Sequence, residues 1–196
     1  MTRLVPVALL AALLAALFLT PGRARAEKPS GLRLEATFGG GWRTSIDTND
    51  RSPSFEGGGF QLEVALGPVW GDLALLFGAR GRVGAVANAA DYVGTPGASP
   101  PFVSYIETTG NVGVQFAFDD RVRLRAGADG GGIFAVDRRA PVVGGFLSIS
   151  FDSASFKEDR IHLILTLRAD LEAVLTDDAR LPKVSTSFGA GIGVRY

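Results

Sequence analysis

From Leu32 onward the chain alternates. Residues 32–42 set Leu32, Leu34, Ala36, Phe38 and Trp42 on one face and Arg33, Glu35 and Thr37 on the other, the period-two signature of a strand with two unlike faces. The pattern returns seven times. Phe60, Leu62, Val64 and Leu66 oppose Gln61, Glu63 and Ala65, and Leu73, Leu75, Phe77, Ala79 and Val83 oppose a face holding Arg80 and Arg82. Ile106, Val112, Val114, Phe116 and Phe118 oppose Glu107, Thr109, Asn111 and Gln115. Val122, Leu124, Ala126, Ala128 and Phe134 oppose Arg121, Arg123, Arg125 and Asp129, while Val143, Leu147, Ile149 and Phe151 oppose Ser148 and Ser150. A seventh run sets Ile161, Leu163, Leu165, Leu167, Ala169 and Leu171 against His162, Thr166, Arg168, Asp170 and Glu172. The eighth sets Phe188, Ala190, Ile192, Val194 and Tyr196 against Ser187 and Arg195. The seventh is rich in helix formers. At ~100° per residue, however, a helix would put Arg168 and Glu172 together and Asp170 roughly 200° away; only a strand sorts the polar set cleanly.

The connections carry a second pattern. Arg43 to Gly59 and Ala87 to Pro101 read as long loops, whereas Gly67 to Gly71 and Asp119-Asp120 read as short turns. Asp137 to Pro141 is modest and Asp152 to Asp159 is not minimal. The breakers Pro53, Pro68, Pro96, Pro100, Pro101, Pro141 and Pro182 are expected between strands. Short turns on one side and longer loops on the other are expected of a membrane barrel with both termini at the short-turn end.

Alternation alone permits two opposite molecules: a soluble calyx with an apolar interior, or a membrane barrel with apolar side chains toward lipid and charges inside. Composition bears on the choice. The 196 residues include only three lysines beside seventeen arginines. The polar face carries Arg33, Arg80, Arg82, Arg123, Arg125, Arg168 and Arg195 against Glu35, Glu63, Glu107, Asp129, Asp170 and Glu172. Arginine suits buried pairs because its planar fork matches a carboxylate and is weakly hydrated. Aromatics gather near strand ends at Trp42, Phe60, Trp70, Phe116, Phe118, Phe151 and Tyr196, as interfacial girdles do. The final strand, with Phe188, Ala190, Ile192, Val194 and Tyr196 spaced by two, resembles the C-terminal assembly signal of bacterial outer-membrane barrels. Those usually end in Phe where this chain has Tyr.

On these residues the chain from 31 to 196 resembles the small eight-stranded outer-membrane proteins of the OmpA-transmembrane-domain and OmpX type. The resemblance implies an all-β, eight-stranded antiparallel up-and-down transmembrane β-barrel in a Gram-negative outer membrane. It also implies recognition by the barrel-insertion machinery during assembly. Residues 1–26 read as a cleaved signal peptide: Arg3, an apolar run from Leu4 to Leu19, and Ala24-Arg25-Ala26, with cleavage before Glu27. Residues 27–196 would then form the barrel, with 17 basic against 20 acidic groups. Such a near-neutral chain offers no electrostatic footprint for nucleic acid. Absence of cysteine excludes disulfides and a Cys-based zinc site.

The search for chemistry yields little. His162 is the sole histidine; its phase points it into the lumen, where a hairpin centred near Phe156 would bring Ser148 and Ser150 beside it as a hydrolase-like Ser–His pair. Gly57-Gly58-Gly59 and Gly130-Gly131-Gly132 lead into no helix and precede no lysine, so strand bends or loop flexibility explain them better than phosphate cradles. Asp47, Asn49 and Asp50, like Asp177-Asp178, lack the Gly and distal Glu of a calcium loop. No catalytic, cofactor-binding or metal site is expected. The thirteen lumen charges should pair into a packed plug, since eight strands enclose just enough room for side chains. The expected role is structural, or recognition of an extracellular ligand through loops 43–59 and 87–101, with lipid around the barrel. The alternatives are a lipid A-modifying hydrolase or acyltransferase using His162, and a lipocalin-like calyx lined by Leu163, Leu165 and Leu167.

Overall fold

The computed structural model describes residues 30–45, 55–88, 102–135, 138–156, 160–176 and 183–196. Eight strands form: β1 (Gly31–Ser45), β2 (Phe55–Trp70), β3 (Leu73–Asn88), β4 (Phe102–Ala117), β5 (Val122–Ala135), β6 (Arg138–Phe156), β7 (Ile161–Val174) and β8 (Val184–Arg195). Each pairs antiparallel with its sequence neighbours, and β8 pairs with β1 to close the ring. At the seam Leu34 and Tyr196 exchange backbone hydrogen bonds, 2.8 Å each way. Closure leaves no strand edge unpaired, which a hydrocarbon environment demands.

One end of the barrel carries short turns. Gly71 and Asp72 join β2 to β3, with Gly71 at φ 56°, a left-handed conformation that glycine adopts without steric cost. Residues 118–121 join β4 to β5. At the other end β1–β2, β3–β4 and β7–β8 are linked through residues 46–54, 89–101 and 177–182, outside the described residues, as are the signal-peptide reading of 1–26 and Asp47, Asn49, Asp50, Asp177 and Asp178.

Several strands run further than the alternation suggested. Residues 43–45 belong to β1, 55–59 to β2 and 87–88 to β3, so the loops expected at 43–59 and 87–101 contract. Gly57-Gly58-Gly59 lie in β2 and Gly130-Gly131-Gly132 in β5, not in loops. Pro68 and Pro141, expected as breakers, sit inside β2 and β6. Pairing of β2 with β3 lapses at Gly67 and Pro68. Pro141 lies where β7 ends, its carbonyl accepting from Leu175 N–H at 2.8 Å. Proline is tolerated at positions whose N–H the ladder does not need.

The two faces are sorted as an inverted globular protein. Leu165 and Val194 are 46% and 49% exposed on the outside, while Arg125 and Arg168 are 5% and 4% exposed within. Leu163 and Leu167 also face outward, which overturns the calyx alternative. Among the described residues the outer face bears charge only near the loop end, at Glu56 and Arg139. Phe38 stacks on Phe60 with centroids 6.1 Å apart, and Phe116 meets Phe118 edge-on at 5.1 Å. Trp42, Phe151 and Tyr196 are likewise exposed and Trp70 is half-buried.

Candidate functional site

Because interior positions recur every second residue, each strand delivers a ladder of side chains to the axis. The lumen is filled in layers. At the loop end Tyr105, Ile133, Ala140, Val142 and Val174 form an apolar cap. Toward the turns Ala65, Ala74 and Leu76 form a second, smaller one. Charge occupies the space between and beyond.

The middle layer centres on Arg80 of β3. Its Nη1 donates to Asp170 (2.5 Å), and its Nη2 to Glu172 (2.6 Å), Asp129 (3.1 Å) and Glu107 (3.2 Å). Arg82 donates to Asp170 and to Ser187, both at 3.0 Å. Arg168 bonds Asp170 (2.7 Å), Glu63 (2.7 Å) and Asp129 (3.1 Å). Its guanidinium lies 3.9 Å from the ring centroid of Phe146, over which Arg125 also sits at 5.0 Å. Arg125 in turn bonds Glu63 (2.8 Å) and Asn111 (2.5 Å). Asp129, Asp170 and Glu172 bring ligand atoms within 4.8 Å of one another, but Arg80 already bonds all three.

Nearer the turns, Glu35 accepts from Gln115 (3.0 Å) and lies 3.7 Å from Arg195. Arg33 donates to Gln115 (2.5 Å). Arg123 reaches Asp152 at 3.0 Å, and Arg195 also bonds Asp152. Thus all thirteen charges singled out in the sequence project into the lumen, in two tiers.

Three members were not foreseen. Arg43 bonds Glu107 and Ser185 and pairs with Glu172 at 2.9 Å; the sequence pattern puts it at the start of a loop. Asp152, read as a turn residue, is the hub of the lower tier. Phe146 is an apolar ring at a polar phase, shared with Ser148 and Ser150, so parity alone could have found it.

His162 stands opposite Ser155 on β6 and Arg195 on β8. Its Nδ1 is 3.1 Å from Asp152 Oδ2. Ser148 and Ser150 pair instead with Arg168 and Thr166, further up the barrel. The Ser–His pair expected from a hairpin at Phe156 is therefore not assembled. A bulge between Asp152 and Ala154 shifts the register there.

Room inside is scarce. One cavity, bounded in part by Glu35, Glu63, Gln115 and Arg125, measures about 20 Å³, and another near Arg43, Arg82 and Tyr105 about 10 Å³. Each is of single-water size.

Neither a protein-family model nor a curated protein matches the chain. Solved structures do. The chain is similar to the neisserial surface protein NspA, with TM-score 0.56 and 15% identity over 86% of this chain and 98% of that one. It is similar too to Ail, the attachment invasion locus protein of Yersinia pestis, in complex with the heparin analogue sucrose octasulfate. There the TM-score is 0.50 and the identity 11%, over 84% of this chain and 99% of that one. With closed up-and-down topology, outward apolar faces and these two likenesses together, the chain has the fold of the small eight-stranded outer-membrane β-barrels.

Proposed function

We propose that the protein is an integral barrel of the Gram-negative outer membrane with a permanently filled lumen, serving as a rigid, non-catalytic carrier of exposed loops. The observation that carries this reading is polarity. A continuous apolar exterior belongs in acyl chains, and balanced ion pairs in the lumen fill the space a pore would need. The turn end then faces the periplasm, and residues 46–54 and 89–101 lie at the cell surface, where a rigid scaffold presents recognition elements. Phe188, Ala190, Ile192, Val194 and Tyr196, all exposed on β8 and at its end, supply the signal read by the insertion machinery. Segments 46–54, 89–101, 136–137 and 177–182 hold six aspartates against two arginines. That balance favours a cationic or neutral surface ligand over a sulfated polyanion.

Fractionation should place the protein with outer-membrane markers, and unheated samples should migrate as a compact band that heating converts to the unfolded one. In planar bilayers the purified barrel should give no ion-conducting steps. Removing 46–54 and 89–101 together should keep the heat-modifiable band and abolish surface binding. Recovery in the soluble periplasm would sink the reading, as would binding that survives the double deletion.

A further inference from the structure

The strands do not all stop together at the short-turn end. Pairing between β5 and β6 ends at Val122 and Phe151, with a last bond from Asp152 N–H to the Arg121 carbonyl at 2.8 Å. β6 runs on to Phe156, held there by β7 alone through the pairs Ala154–Leu163, Ser155–His162 and Phe156–Ile161. Its β5-facing side is therefore an open sheet edge from Ser153 to Phe156, and all four residues are exposed. The β2–β3 turn shows the contrast: Asp72 within it accepts from Ala117 N–H at 2.8 Å, so that hairpin is closed against β4 up to its turn.

The edge borders room. A hollow of about 610 Å³ lies between the β4–β5 turn and the β6–β7 hairpin, with Asp120, Arg121 and Arg123 on one bank and Asp152 to Ser155 and His162 on the other. Its two arginines face two aspartates, and Arg123 is already paired with Asp152 at 3.0 Å. Such walls favour a ligand without net charge. The edge itself includes neither proline nor charge, two of the usual guards against an added strand. The bulge between Asp152 and Ala154 falls where the ladder to β5 stops, and it leaves Ala154 to Phe156 in regular register with β7.

A row of main-chain donors and acceptors in strand register is matched in step by another extended chain. A second barrel in the same membrane is a poor match. Two copies related by a two-fold axis along the membrane normal run their β6 strands in the same direction, whereas antiparallel pairing about a two-fold axis needs opposite directions. We infer that the open edge of β6 takes up an extended, uncharged peptide segment of a partner protein as an added strand, antiparallel to β6 and in line with β5. The edge spans about 13 Å, so the contact is short. Side chains alternate across it. Those beside Ala154 and Phe156 share the face of Leu163 and Ile161, and those beside Ser155 share the face of His162, over the hollow. The segment that fits alternates apolar with small polar residues. Placing this edge in the periplasm rests on the proposed function; binding to the purified barrel does not, so the two readings stand or fall separately.

The probe is an acetylated, amidated heptapeptide of alternating threonine and valine, added to isotope-labelled barrel in non-ionic detergent. By NMR the amide signals of Ala154, Ser155 and Phe156 should shift saturably, and those of Val112 and Val143 in mid-barrel should stay. Successive N–H groups of an extended chain point to opposite sides, so N-methylating the threonines and N-methylating the valines block different edges of the peptide. One set should weaken binding at least tenfold and the other should leave it within twofold. On the barrel, Ala154→Pro and Ser155→Pro likewise remove N–H groups from opposite sides of β6. The one that clears the open side should weaken binding at least tenfold with heat-modifiable mobility kept. Absence of a saturable shift, or equal tolerance of both methylated peptides, overturns the inference, and neither result depends on a variant that folds. Dimerisation without peptide, lost in that same proline variant, assigns the edge to a second copy and overturns it as well.

Discussion

Arg80 illustrates how much can rest on one side chain. Its guanidinium bonds four carboxylates from three strands, Glu107, Asp129, Asp170 and Glu172. Replacing it with Met leaves those acids facing one another in a low-dielectric interior, where losing one partner of a buried ion network costs about 3–5 kcal/mol. Urea titration of Arg80→Met in micelles should show a loss of that size. Glycines on the same face are constrained differently. A Cβ on Gly39 would lie 2.1 Å from the Ala190 carbonyl oxygen across the β1–β8 seam, whereas one on Gly81, on the outer face, meets nothing within 4 Å. Gly39→Ala should therefore deplete the compact gel band by forcing the seam apart, and Gly81→Ala should leave it unchanged. Most charged lumen residues were legible from parity alone. Arg43 was not, because it follows three glycines and a tryptophan and precedes polar residues; glycine carries no side chain to reveal phase. Asp152 was hidden by the bulge beside it, which breaks the period on which parity depends.

At the scale of elements, alternation revealed all eight strands but not their lengths. Segments such as 55–59 lack the apolar beat yet are held by backbone pairing to β1 and β3, a contribution that side-chain patterns do not record. Prolines misled for a related reason: Pro141 costs the sheet nothing where β7 has ended. The β4–β5 turn shows a local device. Asp119 accepts backbone N–H bonds from Arg121 (2.7 Å) and Val122 (2.6 Å), which hold its carboxyl below the usual aspartate value of 3.8. A carboxyl lowered on folding stabilises above its unfolded value, and that contribution is lost as pH falls through the folded one. Amide exchange at Arg121 and Val122, measured against unstructured peptide at the same pH, should accordingly quicken below pH of about 4. In Asp119→Ala it should be fast and lack that acid-dependent step.

For the molecule as a whole, the decisive property is that its oily surface faces out. Leu165 in mid-strand and Leu175 beyond the end of β7 are both exposed. If acyl chains surround the barrel, depth sets the penalty for charge: Leu165→Arg should cost about 2–4 kcal/mol and Leu175→Arg about 0–1 kcal/mol. Unfolding from lipid vesicles would measure the contrast, and equal costs would contradict embedding. The reciprocal bonds between Leu34 and Tyr196 have a bearing on biogenesis. Arg43 on the first strand meets Glu107 on the fourth and Glu172 on the seventh, pairs that form only when strands distant in sequence come together. A half-built sheet exposes bare ions along one side and must keep that side wet. Sealing of the first strand against the last and completion of these long-range pairs are therefore expected to coincide.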